Sequence, residues 1–61
     1  MTLKEYLKSN GGTAAFAKQI GVTGEAVRLW ANGIRIPRVE QMRLVVKATK
    51  GNVTPNDFYQ L

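Results

Sequence analysis

The chain has 61 residues, with nine lysines and arginines against four aspartates and glutamates, no histidine and no cysteine. These counts exclude disulfide bonds, thiol chemistry and the usual zinc ligands, and the scattered acids provide neither a calcium site nor a paired-carboxylate active site. The formal charge of +5 attracts polyanions, of which nucleic acid is the commonest, although a basic surface can also serve only solubility.

The first predicted helix lies in the segment TLKEYLKSNGG. Leu3, Tyr6 and Leu7 are spaced so that they share one face of a helix. Thr2 is a candidate N-cap, and the Asn-Gly-Gly sequence at residues 10–12 is expected to stop the helix.

The second predicted helix lies in the segment TAAFAKQIG. Thr13 is its candidate N-cap, and Gly21 suits the left-handed position that ends a helix. The spacing of Phe16, Ala17 and Ile20 turns all three side chains towards the core.

The third predicted helix lies in the segment GVTGEAVRLWANG, with Thr23 as its candidate N-cap and Asn32-Gly33 at its end. Val27, Trp30 and Ala31 fall on one face of this helix. The opposite face carries Glu25, Arg28, Leu29 and Asn32. An acid, a base, a leucine and an amide make a poor core, so this face is expected to contact another molecule.

The fourth predicted helix lies in IRIPRVEQMRLVVKATKG, with Pro37 in its first turn and Gly51 at its end. One stripe of side chains is expected to face the core, formed by Val39, Met42, Val45, Val46 and Thr49. The segment MRLVVKATKGNVT could alternatively form a β-hairpin, because valine and threonine favour strands. The helical register of the stripe favours a helix, and Thr54 and Pro55 predict one further turn. We therefore expect an all-α bundle of four to five helices.

Helices two and three together have the spacing of a helix-turn-helix. Ala17 is small enough for a close helix crossing, Gly21 permits a left-handed turn, and Val27 and Trp30 then return to the core. Trp30 is interpreted as a core residue rather than a platform for base stacking, because it lies on the inward face. Two amphipathic helices joined by a glycine also occur in bundles that do not bind DNA.

The segment from Thr2 to Gly33 resembles the phage Cro repressors, including a first helix that begins TLKEY. The segment KATKGNVTPNDF is similar to the all-helical branch of that family rather than to the branch that ends in a β-hairpin. The resemblance implies a bacterial or phage repressor that binds a near-palindromic operator as a dimer. Because the chain has no long heptad seam and only a small core, we expect a weak homodimer that assembles on DNA.

The resemblance also places a DNA-reading face on the third helix. The candidate base-reading residues are Thr23, Gly24, Glu25, Arg28, Leu29 and Asn32. Arg28 can donate to guanine O6 and N7, or it can contact a phosphate. Glu25 can accept a hydrogen bond from a cytosine amino group, or it can instead stabilise the helix N-terminus or orient Arg28. Leu29 can contact a thymine methyl, or it can be an ordinary exposed leucine. Gly24 stands where the family commonly has a glutamine, which removes one expected base contact.

Contacts to the DNA backbone are expected from helix ends and basic side chains. The candidates are Thr13, Lys18, Gln19, Arg35 and Arg38. Thr13 opens the second helix, where free N–H groups and the helix dipole favour a phosphate. Each of these side chains could instead be a solvated surface group.

These observations favour a sequence-specific repressor in the cytoplasm of a bacterial host, with double-stranded operator DNA as its partner. We expect residues 1–61 to form one DNA-binding domain. We expect no enzyme activity, cofactor, metal or small-molecule ligand. A membrane role is disfavoured because no apolar run approaches the roughly 18 residues of a span, and a cationic membrane-surface peptide would not need the helix-turn-helix spacing. The alternative is an antitoxin-like or adaptor module that uses the same fold to bind a protein.

Overall fold

The computed structural model describes residues 1–59, which form four α-helices and one short 3-10 helix. The elements are α1 (Leu3–Ser9), α2 (Gly12–Ile20), α3 (Gly24–Ala31), α4 (Val39–Ala48) and the 3-10 helix (Pro55–Phe58). Within the described residues there is no strand, so the all-α prediction is confirmed and the hairpin alternative is wrong. Gln60 and Leu61, at the end of the predicted last turn, lie outside the described residues.

Threonine side chains begin two of the helices, as predicted. The backbone N–H of Glu5 donates to Thr2 Oγ1 at 3.2 Å, and the Thr2 N–H donates back to Glu5 Oε1 at 3.0 Å. Thr23 Oγ1 accepts from the N–H of Ala26 at 3.1 Å. Each of these bonds satisfies an N–H group that the helix itself leaves without a partner.

The predicted N-cap of α2 is wrong. The helix begins at Gly12 and its N-cap is Gly11, so Thr13 lies inside the first turn. Gly11 and Gly12 have φ angles of +94° and +85°, a backbone conformation that residues with a Cβ rarely adopt. The chain reverses between α1 and α2 through these glycines, which is why a threonine cap does not set the start of α2.

The predicted start of α4 is also wrong. Pro37 is buried but lies two residues before Val39, where the helix begins, and Arg38 occupies the N-cap position. Val39 is 70% exposed rather than in the core. Side chains lean towards the N-terminus of a helix, so a side chain on the first residue projects past the helix end and away from the elements that α4 covers.

The core lies where α1, α2, α3 and α4 meet, and α2 and α3 form the most extensive pair. Its buried hydrophobic side chains are Leu3, Leu7, Phe16, Ala17, Val27, Trp30, Val45 and Val53. The rings of Tyr6 and Phe16 meet edge to face, with centroids 5.9 Å apart. Thr49 is the buried polar residue, and its hydroxyl donates to the Val45 carbonyl at 2.9 Å and accepts from the Val53 N–H at 3.2 Å. This hydroxyl connects the end of α4 to the segment that leads into the 3-10 helix.

Two carboxylates at helix starts are predicted to make folding stability depend on pH. The backbone N–H and hydroxyl of Thr2 donate to Glu5 and lower the pKa of its carboxyl below the ordinary value of 4.5. The N–H and hydroxyl of Thr54 likewise lower the pKa of Asp57 below 3.8. A carboxyl with a lower pKa in the folded chain stabilises it above the unfolded pKa, and this stabilisation is lost as the pH falls through the folded pKa.

The free energy of unfolding, measured by urea titration, should therefore change little above about pH 5 and fall below about pH 4. The double variant Glu5→Gln/Asp57→Asn should lose this part of the acid sensitivity. Glu40→Gln is the matched control, since it changes a carboxyl in the first turn of α4 instead, and it should keep the original profile. An unchanged profile in the double variant would contradict the prediction.

Candidate nucleic-acid interface

A glycine turn fixes α3 against α2. Gly21 has a φ angle of +76°, and its N–H donates to the carbonyl of Ala17 in the last turn of α2. The N–H of Val22 donates to the same carbonyl at 3.0 Å. Ala17 is buried where the two helices pack, and Val27 and Trp30 complete the contact from α3. The predicted helix-turn-helix spacing is confirmed, and it leaves the opposite face of α3 uncovered.

The uncovered face of α3 carries most of the candidate base-reading residues. The exposed ones are Thr23, Gly24, Glu25, Arg28 and Asn32. Leu29 is half-buried at the edge of this face, and its carbonyl accepts from the N–H groups of Ile34 and Arg35 at 3.0 and 3.3 Å. Trp30 is 5% exposed and packs in the core, as predicted. The exposed face of α3 is thus polar and free to meet another molecule.

An ion pair joins the two charged residues of this face. Arg28 Nε donates to Glu25 Oε1 at 2.7 Å, and Arg28 Nη2 contacts the same oxygen. The side chains are 54% and 63% exposed, so water screens their attraction. Exposed pairs of this kind contribute about 0.2–1 kcal/mol to stability. In this conformation Nε and Nη2 of Arg28 are both directed at Glu25.

On one side of α3 a groove brings Arg28 and Asn32 next to the first turn of α2 and to α1. Thr13 lines it from α2, and Lys4 and Lys8 line it from α1. The first N–H groups of a helix lack partners inside the helix and favour an anion, and the two lysines add positive charge beside them. The groove therefore presents several donors that suit an anion.

On the other side of α3 a second groove lies between this helix and the start of α4. It brings Thr23, Glu25 and Leu29 next to Arg35 and Arg38. Both arginines are exposed, and the Arg38 N–H donates to Gln41 Oε1 at 3.2 Å, which holds the chain at the start of α4. The α3 face is therefore bordered by positive side chains on both sides.

Two predicted backbone contacts lie apart from these grooves, and two basic residues were missing from the prediction. Lys18 and Gln19 are exposed towards the end of α2 but line neither groove. Lys4 and Lys8 of α1, which are not among the candidates named from the sequence, line the groove beside Arg28. Their helical spacing could have shown that they share a face, but not that this face lies beside α3.

Among residues 1–59 no group of acidic, histidine or cysteine side chains could hold a metal ion. None of the described helices is both long and apolar enough to cross a membrane.

Two helices joined by a glycine turn, with the polar face of the second one uncovered, define a helix-turn-helix domain. Residues 3–55 match the family model HTH_3, described as helix-turn-helix, and the chain belongs to this family. The family consists of DNA-binding domains without catalytic activity, and membership implies sequence-specific DNA binding. Searches of curated proteins and of solved structures gave no match to the chain.

Proposed function

We propose that residues 1–61 act as one domain, a transcriptional repressor of the phage Cro type that binds a near-palindromic operator. The observation that carries the proposal is the uncovered polar face of α3, with Arg28 at its centre and positive side chains on both sides. A helix presented in this way fits the major groove of B-DNA, which is wide enough to admit one helix. Such a repressor acts in the bacterial cytoplasm, where its operator is.

Base reading is assigned to the α3 face, formed by Thr23, Gly24, Glu25, Arg28, Leu29 and Asn32. Arg28 is the principal reader, because a guanidinium group can donate two hydrogen bonds to guanine O6 and N7. Asn32 lies on the same side and can pair with an adenine edge, while the half-buried Leu29 can contact a thymine methyl. Gly24 has no side chain, so α3 approaches the bases closely there instead of reading one.

Backbone contacts are assigned to Thr13, Lys18, Gln19, Arg35 and Arg38, with Lys4 and Lys8 in addition. Thr13 and the two α1 lysines bind one strand from the groove beside Arg28, and the two arginines bind the other strand from the groove beside Leu29. Lys18 and Gln19 extend the contact from α2. These interactions position α3 on the duplex and carry no sequence information of their own.

Affinity for duplex DNA is predicted to fall steeply as salt is added. Each phosphate contact made by a basic side chain lowers the logarithm of the binding constant by about 0.9 per tenfold increase in salt, so the five lysines and arginines assigned above give a slope near −4.5 per copy. The measurement is fluorescence anisotropy with the best duplex selected from a random pool, titrated at several salt concentrations. A scrambled duplex of equal length is the control, and it should bind more weakly with a similar slope.

A flat salt profile, or a selection that enriches no sequence, would overturn the proposed function. Tight capture of a protein partner by a chain that binds no duplex would favour the antitoxin-like or adaptor alternative.

The repressor is proposed to work as a weak dimer. One α3 reads only a few base pairs, and two half-sites one helical turn apart require recognition helices about 34–36 Å apart. The Cα atoms extend only 28 × 21 × 20 Å, so two copies at this spacing meet along their edges. The connector between α3 and α4 exposes Ile34 (64%) and Ile36 (41%), and α4 begins with the exposed Val39 (70%); these three side chains can form a small apolar contact.

We expect the free protein to be monomeric at nanomolar concentration and to bind an operator as two copies. An edge contact that buries less than about 1,000 Å² is weak, so DNA must supply most of the energy of assembly. Analytical ultracentrifugation with and without a two-half-site duplex tests this, and a single-half-site duplex is the control. A dimer that persists at nanomolar concentration without DNA would contradict the expectation.

A further inference from the structure

The Glu25–Arg28 contact occupies one particular edge of the guanidinium group. Nε and Nη2 both point at Glu25 Oε1, and these two nitrogens form the edge nearest the arginine stem. A guanidinium group has five N–H donors in a fixed plane. The edge formed by Nη1 and Nη2 therefore keeps two donors side by side at the tip of the side chain, in the arrangement that guanine O6 and N7 accept.

Besides a guanine, a phosphate in the neighbouring groove is a possible partner for the Arg28 guanidinium group. Lys4 and Lys8 line the same groove and attract a phosphate to it, and an unrestrained Arg28 on its long side chain could turn towards that phosphate. Glu25 lies one helical turn towards the N-terminus of α3, at the border of the opposite groove. Arg28 also lines the lysine groove, but the carboxylate engages its Nε and Nη2 and so limits how far the guanidinium group can turn towards a phosphate bound there.

We infer that Glu25 is a positioning residue that makes Arg28 read a base instead of a phosphate. This inference rests on the proposed function. Glu25 thus belongs to the proposed base-reading face because it orients Arg28, and it makes no base contact of its own. Its charge opposes binding to any duplex, so removing Glu25 should lower discrimination without lowering affinity for random DNA.

The test is a double-mutant cycle with Glu25→Ala and Arg28→Ala on the full chain. The measured quantity is a ratio of two Kd values: the Kd for a duplex changed at the base pair that Arg28→Ala relaxes, divided by the Kd for the best selected duplex. Glu25→Ala should lower this ratio about two- to fivefold, the range that an exposed ion pair can supply, while affinity for a scrambled duplex holds or rises. In the Arg28→Ala background, Glu25→Ala should leave the ratio unchanged.

Two further variants separate positioning from general charge and from folding. Glu25→Gln keeps an acceptor oxygen for Arg28 Nε and should retain part of the discrimination. Glu40→Ala removes the same charge from the first turn of α4 and should leave the ratio unchanged. In NMR spectra the Arg28 Nε–H signal should be protected from exchange in the original protein and lose this protection in Glu25→Ala.

Additive effects of the two alanine substitutions on the ratio would overturn the inference. It would also be overturned if Glu25→Ala abolished the preference at a second base pair, both in the original protein and in Arg28→Ala, because Glu25 would then read a base itself. An unchanged ratio in Glu25→Ala would overturn it as well, since the ion pair would then have no influence on reading. A protein that discriminates among no duplexes would overturn the proposed function itself.

Discussion

Replacing Trp30 with alanine is expected to unfold a large fraction of the protein at physiological temperature. Trp30 is 5% exposed and packs with Phe16 and Val27 at the contact between α2 and α3. Truncation of a buried aromatic side chain costs about 3–5 kcal/mol. A single hydrophobic core in a chain below about 70 residues rarely supplies more than about 3–5 kcal/mol of net stability, so the loss takes most of it. Thermal unfolding followed by circular dichroism measures the effect.

Two variants control for the loss of an aromatic ring at an exposed position and for the loss of the indole itself. Tyr59→Ala removes an aromatic side chain that is 59% exposed and should lower stability by less than about 1 kcal/mol. Trp30→Phe keeps a buried ring, so it should fold and still bind the selected duplex. If Trp30→Phe folds normally but binds all duplexes much more weakly, then Trp30 touches DNA, and the core interpretation would be wrong.

Much of this helical framework could be predicted because its signals are local. Thr2 and Thr23 start helices through hydrogen bonds to residues three positions later, and Gly21 ends α2 by adopting a conformation that few other residues tolerate. The spacing of Val27 and Trp30 follows the period of the helix, so it identifies the buried face of α3 without knowledge of what covers it.

The features that could not be predicted depend on how helices meet. Thr13 is an acceptable N-cap by itself, but the left-handed reversal at Gly11 and Gly12 sets the start of α2 two residues earlier. Val39 continues the apolar stripe of α4 in sequence, yet it is 70% exposed because it stands at the first residue of the helix. Lys4 lies beside Arg28 because of the way α1 packs on α3, which no local spacing encodes.

In the candidate site, too, some features could be predicted from local spacing and others could not. Helical spacing alone predicts which residues form the exposed face of α3. It also shows that Glu25 and Arg28, three residues apart, are close enough to touch. Their contact selects which edge of the guanidinium group stays free, and this depends on the rotamers of both side chains. The grooves that bring Arg35 and Arg38 to one side of α3 depend on the path of the connector to α4.

Arg28→Ala is expected to weaken binding to the best selected duplex by about 1–3 kcal/mol for each half-site and to relax the preference at one base pair in each. The side chain is 54% exposed and lies outside the core, so the fold should survive the change. Kd values for a set of duplexes, each changed at a single base pair, measure both the loss of affinity and the position that is relaxed.

Arg38→Ala is the matched control, because it removes the same charged group from the groove on the other side of α3. It should weaken binding to operator and scrambled duplexes alike, and it should lower the salt slope by about 0.9, since a phosphate contact carries no sequence information. If Arg28→Ala behaves in the same way, Arg28 binds a phosphate. Base reading must then come from Thr23, Glu25, Leu29 or Asn32, whose shorter side chains require α3 to lie deeper in the major groove.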